Sequence, residues 1–598
     1  MATLRPFTAE YMKHVTRSWL VAGAAAFLLA AAPWPRSQPA RSTSDLVGLW
    51  RAKRHFGPDV RGRLVVERAG GMWRAAIAGR VATVVVSRDT VSFRLPDSSG
   101  AFTGRFDARR TRIVGQWVQS RGVAGGSMYS TPLLLAACGS ECFFGNVVPL
   151  DEEFTLYMKV TRRPDGMLGA FIRNPERNLG RWIRLDRIEQ DGAAVRWLDA
   201  KGDLIFTGVM RDDVMSVYIG NRGGTYDFVR VPAGSVSDFY PTGRPTAAYS
   251  YAPPRAENDG WPVATVEQDG LSRELVSAFM QALANTPDDS VGSLQVHGIL
   301  IARHGKLVVE EYFHGEHADK PHDTRSAAKS VAAVLIGAAM HAGVKIGPAT
   351  PVFSVMRPAA RDLEPRKRAL TLEHLLTMSS GLDCDDNQDE SPGNEDNITQ
   401  QDTNPDWYRM ILDLGMIRDP GVHAVYCSIN PHLAGGVLSR AAHRPLPEMM
   451  WDLVGEPLQM RHYYMPLTPL GDAYMGGGMR FRPRDFMKLG QLYLNGGMWH
   501  GRRVLAEDWV RRSTQSRYPM GRDNTYGYLW WVREYSFQGR TIRAYFASGN
   551  GGNEVMVFPE LDLVLASYGG NYSDGAANWA TVRELVPRYV LPAVLPQR

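Results

Sequence analysis

The 598-residue sequence has only four cysteines, little net charge and, after its first forty residues, no apolar run near membrane-spanning length. Lys and Arg total 68 against 62 Asp and Glu, which gives a formal charge of +6. The arginines are scattered, whereas nucleic-acid-binding proteins concentrate basic residues in one stripe, so we expect no nucleic-acid partner. A hydrophobic content of 44% excludes wholesale disorder. The length predicts two or more domains.

The first forty residues differ in composition from the rest of the chain. Basic residues come first, an almost wholly apolar stretch follows at 19–32 (WLVAGAAAFLLAAA), and prolines end it. This order is typical of a secretory signal peptide, and the apolar stretch is short for a membrane span. An uncleaved N-terminal membrane anchor is the alternative for residues 1–40. Both interpretations predict an exported protein, either periplasmic or extracellular.

Residues 45–231 are predicted to form a β-rich domain. Short runs such as RLVVER, ATVVVS and TVSFRL alternate apolar and polar residues and are separated by Gly, Asp and Ser turns. The pattern then repeats, since residues 63–77 resemble 156–172 and residues 103–118 resemble 207–220. Two related β-meanders that fold into one barrel or sandwich would explain this repeat, because neither half could bury its apolar face alone.

A segment rich in Pro, Gly, Ser and Ala at 232–261 predicts an extended linker. From 262 to 598 the pattern becomes mixed α and β. LQVHGILIARHGKLVVEEYFHG predicts a hairpin that turns at His304 and Gly305, and SAAKSVAAVLIGAAMHAG predicts a buried helix that ends at Gly343. Strands at both ends of this region, with helices between them, predict one antiparallel sheet completed by both termini, an α+β arrangement.

Ser326 and Lys329 form a Ser-x-x-Lys pattern, which on spacing alone arises by chance in a chain of this length. The pattern stands where the hairpin gives way to the apolar helix, which places Ser326 in the first helical turn with Lys329 on the same face. Backbone N–H groups of a first turn favour negative charge nearby. Burial would disfavour the ammonium form of Lys329. The alternative is a helix-capping serine with a solvated lysine.

Further segments follow in order: LTLEHLLTMSSGLD, DPGVHAVYCS, GGGMRFRPRDFMKLGQLYLNGG, YGYLWWV and ASGNGGNEVMVFPELDLVLAS. Together with HGILIARHGKLVVEEYF and TRSAAKS, they make the chain from about Trp261 onward resemble the class C β-lactamase-related serine hydrolases. That group includes class C β-lactamases, D-amino-acid-specific peptidases, family VIII esterases and 6-aminohexanoate-dimer hydrolases. The resemblance implies a penicillin-binding-protein-like fold, in which an antiparallel sheet is flanked by helices and joined by a helical subdomain.

In this family a tyrosine followed two residues later by Asn or Ser faces the nucleophile, and Tyr426 and Ser428 match that pattern. The resemblance implies that Tyr426 accepts the proton of Ser326 and returns it to the leaving group, while the Lys329 cation favours the phenolate. Ser428 stands where many relatives have Asn, and it is expected to hydrogen-bond Lys329 and the substrate. The alternative is a core tyrosine in a turn.

In relatives the strand that lines the site carries Lys-Thr-Gly or His-x-Gly, and here it carries Ala547, Ser548 and Gly549. The cation that helps relatives bind a substrate carboxylate is therefore missing at Ala547. This departure favours an ester or an uncharged amide over efficient β-lactam or D-Ala-D-Ala chemistry. Ser548 keeps a hydroxyl, and the glycines suit close backbone approach to a ligand. An oxyanion hole is expected from the backbone N–H groups of Ser326 and Asn550.

The four cysteines suit an oxidising compartment. Cys138 and Cys142 stand close enough for a small loop disulfide. Cys384 lies in an acidic stretch at 383–396, expected to form a mobile rim over the cleft, and a disulfide to Cys427 would pin that rim to the active-site loop. The alternatives are a thiolate metal site, although no His stands at ligand spacing, and a cation in the acidic stretch, although its spacing fits no known Ca²⁺ loop. We expect no metal or cofactor.

The sequence therefore predicts a serine hydrolase that cleaves a small-molecule ester or amide through an acyl-enzyme on Ser326. A β-lactamase or a D-amino-acid-specific peptidase is one alternative. A non-catalytic penicillin-binding-like sensor, in which the β-rich domain does the recognising, is another, although the intact set of Ser326, Lys329 and Tyr426 argues against it. The β-rich domain carries no motif that predicts chemistry, and the oligomeric state stays open.

Overall fold

The computed structural model describes residues 46–595, apart from residues 59, 122–127, 152, 178–183, 221–223, 246–247, 288–292, 358–362 and 573. Residues 1–40, predicted as a signal peptide or anchor, lie outside the described residues. Among the helices of the described part, none has the length and apolar character needed to cross a membrane.

A run of nine consecutive strands forms the first barrel. The strands are β2 (Gly62–Ala69), β3 (Met72–Ile77), β4 (Arg80–Thr83), β5 (Val85–Ser87), β6 (Thr90–Arg94), β7 (Gly100–Phe106), β8 (Arg112–Gln119), β9 (Met128–Gly139) and β10 (Cys142–Val147). Their order in the sheet is β4-β3-β2-β10-β9-β8-β7-β6-β5. Only Val84 separates β4 from β5 in the chain, and β4 contacts β6. The two ends of the sheet therefore meet, and the sheet curls round on itself.

The second barrel also has nine strands. They are β1 (Gly48–His55), β11 (Glu153–Arg162), β12 (Leu168–Arg173), β13 (Arg184–Leu185), β14 (Arg187–Asp191), β15 (Ala194–Leu198), β16 (Leu204–Arg211), β17 (Val214–Ile219) and β18 (Gly224–Arg230). The order is β13-β12-β11-β1-β18-β17-β16-β15-β14. Only Asp186 separates β13 from β14 in the chain, and β12 contacts β14, so this sheet also closes.

The two barrels share one strand plan, which confirms the predicted repeat. Strands β2 to β9 correspond in order to β11 to β18, and the place of β10 is taken by β1, which pairs with β11 from Gly48↔Val160 to His55↔Glu153. The expectation of a single shared barrel is wrong. One hydrophobic core surrounds Trp117 and another surrounds Trp50, because nine twisted strands curl enough to bury their own apolar face.

The segment 232–261, predicted as a linker, has neither helix nor strand among its described residues. It lies against the C-terminal region. Tyr251 Oη donates to the Val308 carbonyl oxygen at 2.8 Å, and Trp261 Nε1 donates to the Arg484 carbonyl oxygen at 3.2 Å. The linker is therefore docked along the C-terminal region over much of its length.

The main sheet of the C-terminal region has eight strands in the order β20-β19-β31-β30-β29-β28-β27-β26. They are β19 (Val296–Arg303), β20 (Lys306–Tyr312), β26 (Tyr518–Pro519), β27 (Thr525–Tyr526), β28 (Trp531–Phe537), β29 (Arg540–Gly549), β30 (Asn553–Phe558) and β31 (Leu563–Gly569). His304 and Gly305 have φ of 50° and 73°, as a type I′ hairpin turn requires. Because β31 pairs with β19, the prediction of one sheet completed by both ends of the region is confirmed.

Five short strands, thirteen α-helices, two π-helices (Trp451–Gly455 and Thr581–Val590) and two 3₁₀ turns (Arg325–Ala328 and Pro559–Leu561) complete the described part of the C-terminal region. The strands are β21 (His322–Asp323), β22 (Tyr463–Leu467), β23 (Arg480–Phe481), β24 (Met498–Trp499) and β25 (Arg502–Arg503). The helices are α1 (Arg273–Ala284), α2 (Lys329–His341), α3 (Val352–Met356), α4 (Pro365–Ala369), α5 (Leu372–Leu376), α6 (Glu395–Thr399), α7 (Trp407–Asp413), α8 (Ile429–Ala442), α9 (Leu446–Met450), α10 (Pro483–Leu494), α11 (Glu507–Ser513), α12 (Gly575–Asn578) and α13 (Leu591–Val594). Helix α2 is apolar all round and buried, as expected of a helix without a polar face.

The first barrel is joined to the C-terminal region by strand pairing. Strand β22 pairs antiparallel with β9, with Met465 opposite Ser130, and Gln116 Nε2 donates to the Pro447 carbonyl oxygen at 3.1 Å. Strand β22 also pairs with β23, which pairs with β21. Because β21 ends two residues before Arg325, this run of strands leads from the barrel to the turn that carries Ser326.

Candidate active site

Ser326 lies in a single 3₁₀ turn, Arg325–Ala328, directly ahead of α2. The predicted position is therefore confirmed to within one turn, although the α-helix itself begins at Lys329. Arg325 has a φ of 48°, in the left-handed region, which costs conformational energy for a residue other than glycine. Its backbone N–H donates to Asp323 Oδ1 at 2.9 Å, which holds the turn in place.

Lys329 points back at the candidate nucleophile. Its Nζ donates to Ser326 Oγ at 2.8 Å and to the Gly476 carbonyl oxygen at 2.6 Å. The residue is 1% exposed. A charged side chain is this deeply buried only when it has partners. The alternative of a solvated lysine behind a capping serine is therefore wrong.

Two opposing effects set the pKa of Lys329. Burial lowers this pKa, as predicted, but electrostatic interactions with Tyr426, Glu395 and Asp386 outweigh burial and raise the pKa above its ordinary value. The expected effect of burial is therefore present, and the neighbouring groups reverse the net direction. Lys329 is therefore a fixed cation beside Ser326 at neutral pH.

Tyr426 lies close to that cation. Lys329 Nζ is 5.0 Å from the centroid of the Tyr426 ring. The Tyr426 ring stacks on Trp531 at a centroid distance of 5.7 Å and meets Tyr526 edge to face at 6.4 Å. Trp530, the neighbour of Trp531, is buried in the core. One tryptophan of the pair thus supports the candidate catalytic tyrosine and the other supports the sheet.

Ser428 is turned toward two acidic side chains. Its Oγ lies 2.6 Å from Asp386 Oδ2 and 3.1 Å from Glu395 Oε2, and its backbone N–H donates to Asp386 Oδ2 at 2.7 Å. Ser428 is fully buried. The predicted partner of this hydroxyl was Lys329, and the structure gives it a carboxylate that acts electrostatically on Lys329 instead.

Asp386 and Glu395 are members of the site that sequence reasoning missed. Burial raises the pKa of Asp386 to about 6, and the charge of Glu395 acts in the same direction, while Lys329 and the hydrogen bonds from Ser428 oppose the rise. Tyr474 Oη donates to Glu395 Oε1 at 2.6 Å. Both carboxyl groups belong to the acidic stretch at 383–396, for which the sequence predicts a mobile rim. The signal in the sequence that could have placed them is Cys384, two residues before Asp386.

The structure contains both disulfides considered from the sequence, Cys138–Cys142 and Cys384–Cys427. The second joins Cα atoms 5.9 Å apart. It fixes Asp386, two residues beyond one cysteine, next to the loop that carries Tyr426. A carboxylate oxygen of Asp386 lies within 4.8 Å of both sulfurs, but the sulfurs are bonded to each other.

The end of β29 packs directly on the turn that carries Ser326. A Cβ atom added to Gly549 would lie 3.0 Å from Ser326 N and closer still to the backbone of Thr324 and Ala327. Only glycine allows this approach. The structure therefore brings Gly549 against the turn of the nucleophile, and Ser548 and Asn550 are its two neighbours in the chain. Ala547 is buried in the hydrophobic core, so the strand carries no cation at that position.

The whole of this site falls inside a segment that matches a known family. The profile of the Beta-lactamase family matches residues 274–577, just over half of the chain. The chain belongs to the beta-lactamase family. A curated relative that matches the chain is a hydrolase.

The chain resembles the curated 6-aminohexanoate-dimer hydrolase of Paenarthrobacter ureafaciens. The two sequences are 26% identical over 278 residues, which is 44% of this chain. The match spans 66% of that relative's length. Among solved structures, a family VIII carboxylesterase has 16% identity and a TM-score of 0.40, and the match covers 53% of this chain and 95% of that one. A D-stereospecific amidohydrolase from Streptomyces has 15% identity and a TM-score of 0.39, with 48% and 93% covered.

Proposed function

We propose that this protein is a serine hydrolase that cleaves an ester or an amide through an acyl-enzyme on Ser326. The observation that carries the proposal is the 2.8 Å hydrogen bond from Lys329 Nζ to Ser326 Oγ, with the Tyr426 ring centroid 5.0 Å from the same ammonium group. A nucleophile, a proton acceptor and a fixed cation thus stand in one cluster, in which the lysine is buried and the other two residues are half-buried, as acyl transfer requires.

The first step joins Ser326 Oγ to the carbonyl carbon of the substrate. Before the attack Tyr426 stands as a phenolate whose negative charge the Lys329 cation stabilises, and as the bond forms it takes the hydroxyl proton while the negative charge moves to the carbonyl oxygen. Collapse of the tetrahedral intermediate breaks the bond to the leaving alcohol or amine, which receives the proton from Tyr426. Water then attacks the acyl-enzyme by the same route and releases the acid.

The oxyanion of the intermediate is assigned to the backbone N–H groups of Ser326 and Asn550. The close packing of Gly549 on the Ser326 turn supports this assignment, because it holds the two peptides in a fixed relation. Donors that are fixed before the reaction stabilise developing charge without reorganisation, and the loss of one typically costs about a hundred- to a thousand-fold in kcat.

The decisive experiment is labelling with a fluorophosphonate probe, which forms a stable bond with an activated serine. We expect the wild-type protein and Ser330→Ala to be labelled and Ser326→Ala not to be labelled. Ser330 is the matched control because its hydroxyl donates to the Leu529 carbonyl oxygen, away from Lys329. Folded wild-type protein that takes up no label would overturn the proposal and favour a non-catalytic binding protein.

Ala547 supports a preference for substrates other than β-lactams, because the strand cation that binds a β-lactam carboxylate in relatives is missing there. We expect the kcat/KM for a short-chain 4-nitrophenyl ester to exceed that for nitrocefin, by about tenfold or more if one charge-assisted hydrogen bond is lost. The comparison requires only initial rates by absorbance, with Ser326→Ala as the blank. Faster turnover of nitrocefin would show that this reasoning about Ala547 is wrong.

We also propose that the protein is exported. The disulfides Cys138–Cys142 and Cys384–Cys427 support this, because disulfides persist in oxidising compartments. Fractionation of expressing cells tests it: export predicts the protein in the periplasm, the membrane or the medium, with both disulfides formed. Reduced protein confined to the cytoplasm would contradict the proposal.

A further inference from the structure

Two buried histidines link the second barrel to the turn that carries the nucleophile. His297, on β19, has its Nε2 atom 2.7 Å from the carbonyl oxygen of Pro175, which lies just after β12 of the second barrel. The other ring nitrogen of His297, Nδ1, lies 2.7 Å from Nε2 of His322 on β21. Both histidines are buried. The contacts thus run from the barrel to the strand that ends two residues before Arg325.

The acceptors decide where the protons of this chain lie. A carbonyl oxygen only accepts, so His297 Nε2 donates to Pro175. Burial lowers the pKa of His297 to about 3 and also lowers that of His322, so both rings are neutral at neutral pH and each carries one N–H. His297 Nδ1 is therefore an acceptor, and His322 Nε2 donates to it. His322 Nδ1, which carries no proton, lies 3.1 Å from the Asp323 carbonyl oxygen, the longest of the three contacts.

The barrel end of the chain is held by further contacts. The side-chain amide of Gln295 donates to the Asn174 carbonyl oxygen at 3.1 Å and also to that of Pro175. A Cβ atom added to Gly570 would lie 2.7 Å from Nε2 of His297, so the imidazole ring is closely packed. A shift of Pro175 therefore either moves His297 or breaks its hydrogen bond.

The other end of the chain is the turn of the nucleophile. Asp323 directly follows His322, and its Oδ1 accepts from the backbone N–H of Arg325 at 2.9 Å. Arg325 has a φ of 48°, a conformation that costs energy and persists only when the surroundings hold it. Ser326 is the next residue. A displacement of His322 is thus transmitted to Ser326 through residues 323–325.

The first barrel reaches the same strand by another route. Strand β21 pairs with β23, with Asp323 opposite Arg480, and β23 leads through β22 to β9 of the first barrel. This pairing holds the backbone of β21, whereas the histidine chain holds the side chain of His322. The two barrels are therefore both connected to β21, directly ahead of the nucleophile turn.

We propose that His297 and His322 are positioning residues through which the second barrel holds Ser326 in its reactive geometry. The proposal rests on the proposed function of Ser326 and gives the second barrel a role, which is support of the nucleophile. Displacing a reacting group by about 1 Å can cost about a hundredfold in rate. A loosened turn is therefore measurable in catalysis.

The test is a pair of substitutions at one position. The amide nitrogen of a glutamine reaches the place of imidazole Nε2, so His322→Gln keeps the donor to His297, whereas His322→Asn is one methylene shorter and loses it. We expect His322→Asn to lower kcat for a 4-nitrophenyl ester by about tenfold or more, with KM little changed, and His322→Gln to keep most of the wild-type kcat. The rate constant for fluorophosphonate labelling of Ser326 should change in the same way.

His297→Asn tests the part of the barrel in this chain. Its amide oxygen can still accept from His322, but no donor reaches Pro175, so we expect a similar loss of kcat. His314→Asn is the matched control, because His314 is a buried histidine of the same junction whose Nδ1 lies 2.9 Å from the Asp238 carbonyl oxygen, outside the chain. This control should leave kcat unchanged. A normal kcat in His297→Asn would overturn the role of the barrel.

Hydrogen exchange separates this proposal from the hydrolase proposal. Exchange of the backbone amides at 322–328, followed by mass spectrometry, should be faster in His322→Asn than in the wild type or His322→Gln. Faster exchange supports the positioning role even if the protein shows no turnover. Unchanged exchange, or a kcat that falls equally in His322→Gln and His322→Asn, refutes the positioning role while the hydrolase proposal stands.

Discussion

Replacement of Asp386 by Asn tests the buried acidic pair behind Lys329. The amide has the same shape as the carboxyl group and keeps an oxygen that accepts from Ser428, but it carries no charge at any pH. Burial and the neighbouring Glu395 raise the pKa of Asp386 from its ordinary value near 3.8 to about 6. The folded protein thus pays a cost for ionising this group, and the variant avoids that cost.

The size of the effect follows from the pKa. One pKa unit corresponds to about 1.4 kcal/mol, so the change from 3.8 to about 6 corresponds to about 3 kcal/mol. Because the folded-state pKa lies above the unfolded-state value, the protonated carboxyl contributes its full stability below pH 4, and that contribution is lost as the pH rises through 6. Asp386→Asn should therefore unfold at a higher temperature than the wild type at pH 8, with a difference that shrinks toward zero below pH 4.

Activity should change in the opposite direction. The charge of Asp386 is among those that raise the pKa of Lys329, so its removal lets Lys329 lose its proton at a lower pH. We expect the basic limb of the kcat/KM profile of Asp386→Asn to move to lower pH. The variant would then be more stable at pH 8 and would lose activity earlier on the alkaline side.

Scanning calorimetry from pH 4 to 8 supplies the first measurement, and ester hydrolysis from neutral into alkaline pH supplies the second. Asp389→Asn is the control, because Asp389 is an exposed residue of the same loop and should change neither profile. An Asp386→Asn protein that is no more stable than the wild type at pH 8, or whose advantage is independent of pH, would refute the assignment of a raised pKa to this carboxyl.

Three further substitutions test the geometry of the site. Gly549→Ala should lower kcat for ester hydrolysis by about a hundredfold, the effect of misplacing one oxyanion donor. Gly415→Ala should be neutral, because a Cβ added there meets nothing within 4 Å. Similar rates for the two variants would contradict the close packing of Gly549. Joint replacement of Cys384 and Cys427 by Ser should lower the free energy of unfolding by about 4 kcal/mol, the loop-closure entropy for a separation of 43 residues. An unchanged melting temperature would show that the disulfide does not constrain the loop. Tyr426→Phe should lower kcat by about a hundredfold or more while leaving the fold intact by circular dichroism, and near-normal turnover would remove it from the proton path.

The sequence was sufficient for features that depend on local pattern. The hairpin at His304 and Gly305 follows from turn chemistry, and helix α2 follows from a long apolar run. The pairing of Ser326 with Lys329 follows from helical spacing. These three features need only short segments whose physical behaviour is fixed by their own residues, whereas the role of Tyr426 follows from the resemblance to the class C β-lactamase-related serine hydrolases.

Features that depend on distant partners could not be predicted. The direction of the pKa change at Lys329 is set by Tyr426 together with Glu395 and Asp386. The two carboxylates lie more than fifty residues away from Lys329 in a loop of ordinary acidic composition. The partner of Ser428 likewise depends on how the disulfide folds that loop back. The number of barrels was missed because the repeat shows two similar meanders but cannot show whether their apolar faces meet each other.

The pairing of Gly62 with Val147 in the first barrel has a consequence for how the molecule is assembled. This pairing sets the first and last strands of that barrel side by side. The whole first barrel is therefore inserted in the chain between β1 and β11 of the second barrel. A ribosome releases β1 first, yet the second barrel closes only when β18 emerges and pairs with it. The first barrel is thus a nested module, and a chain shortened by residues 62–147 would keep every strand of the second barrel while exposing the edge of β22 that β9 now covers.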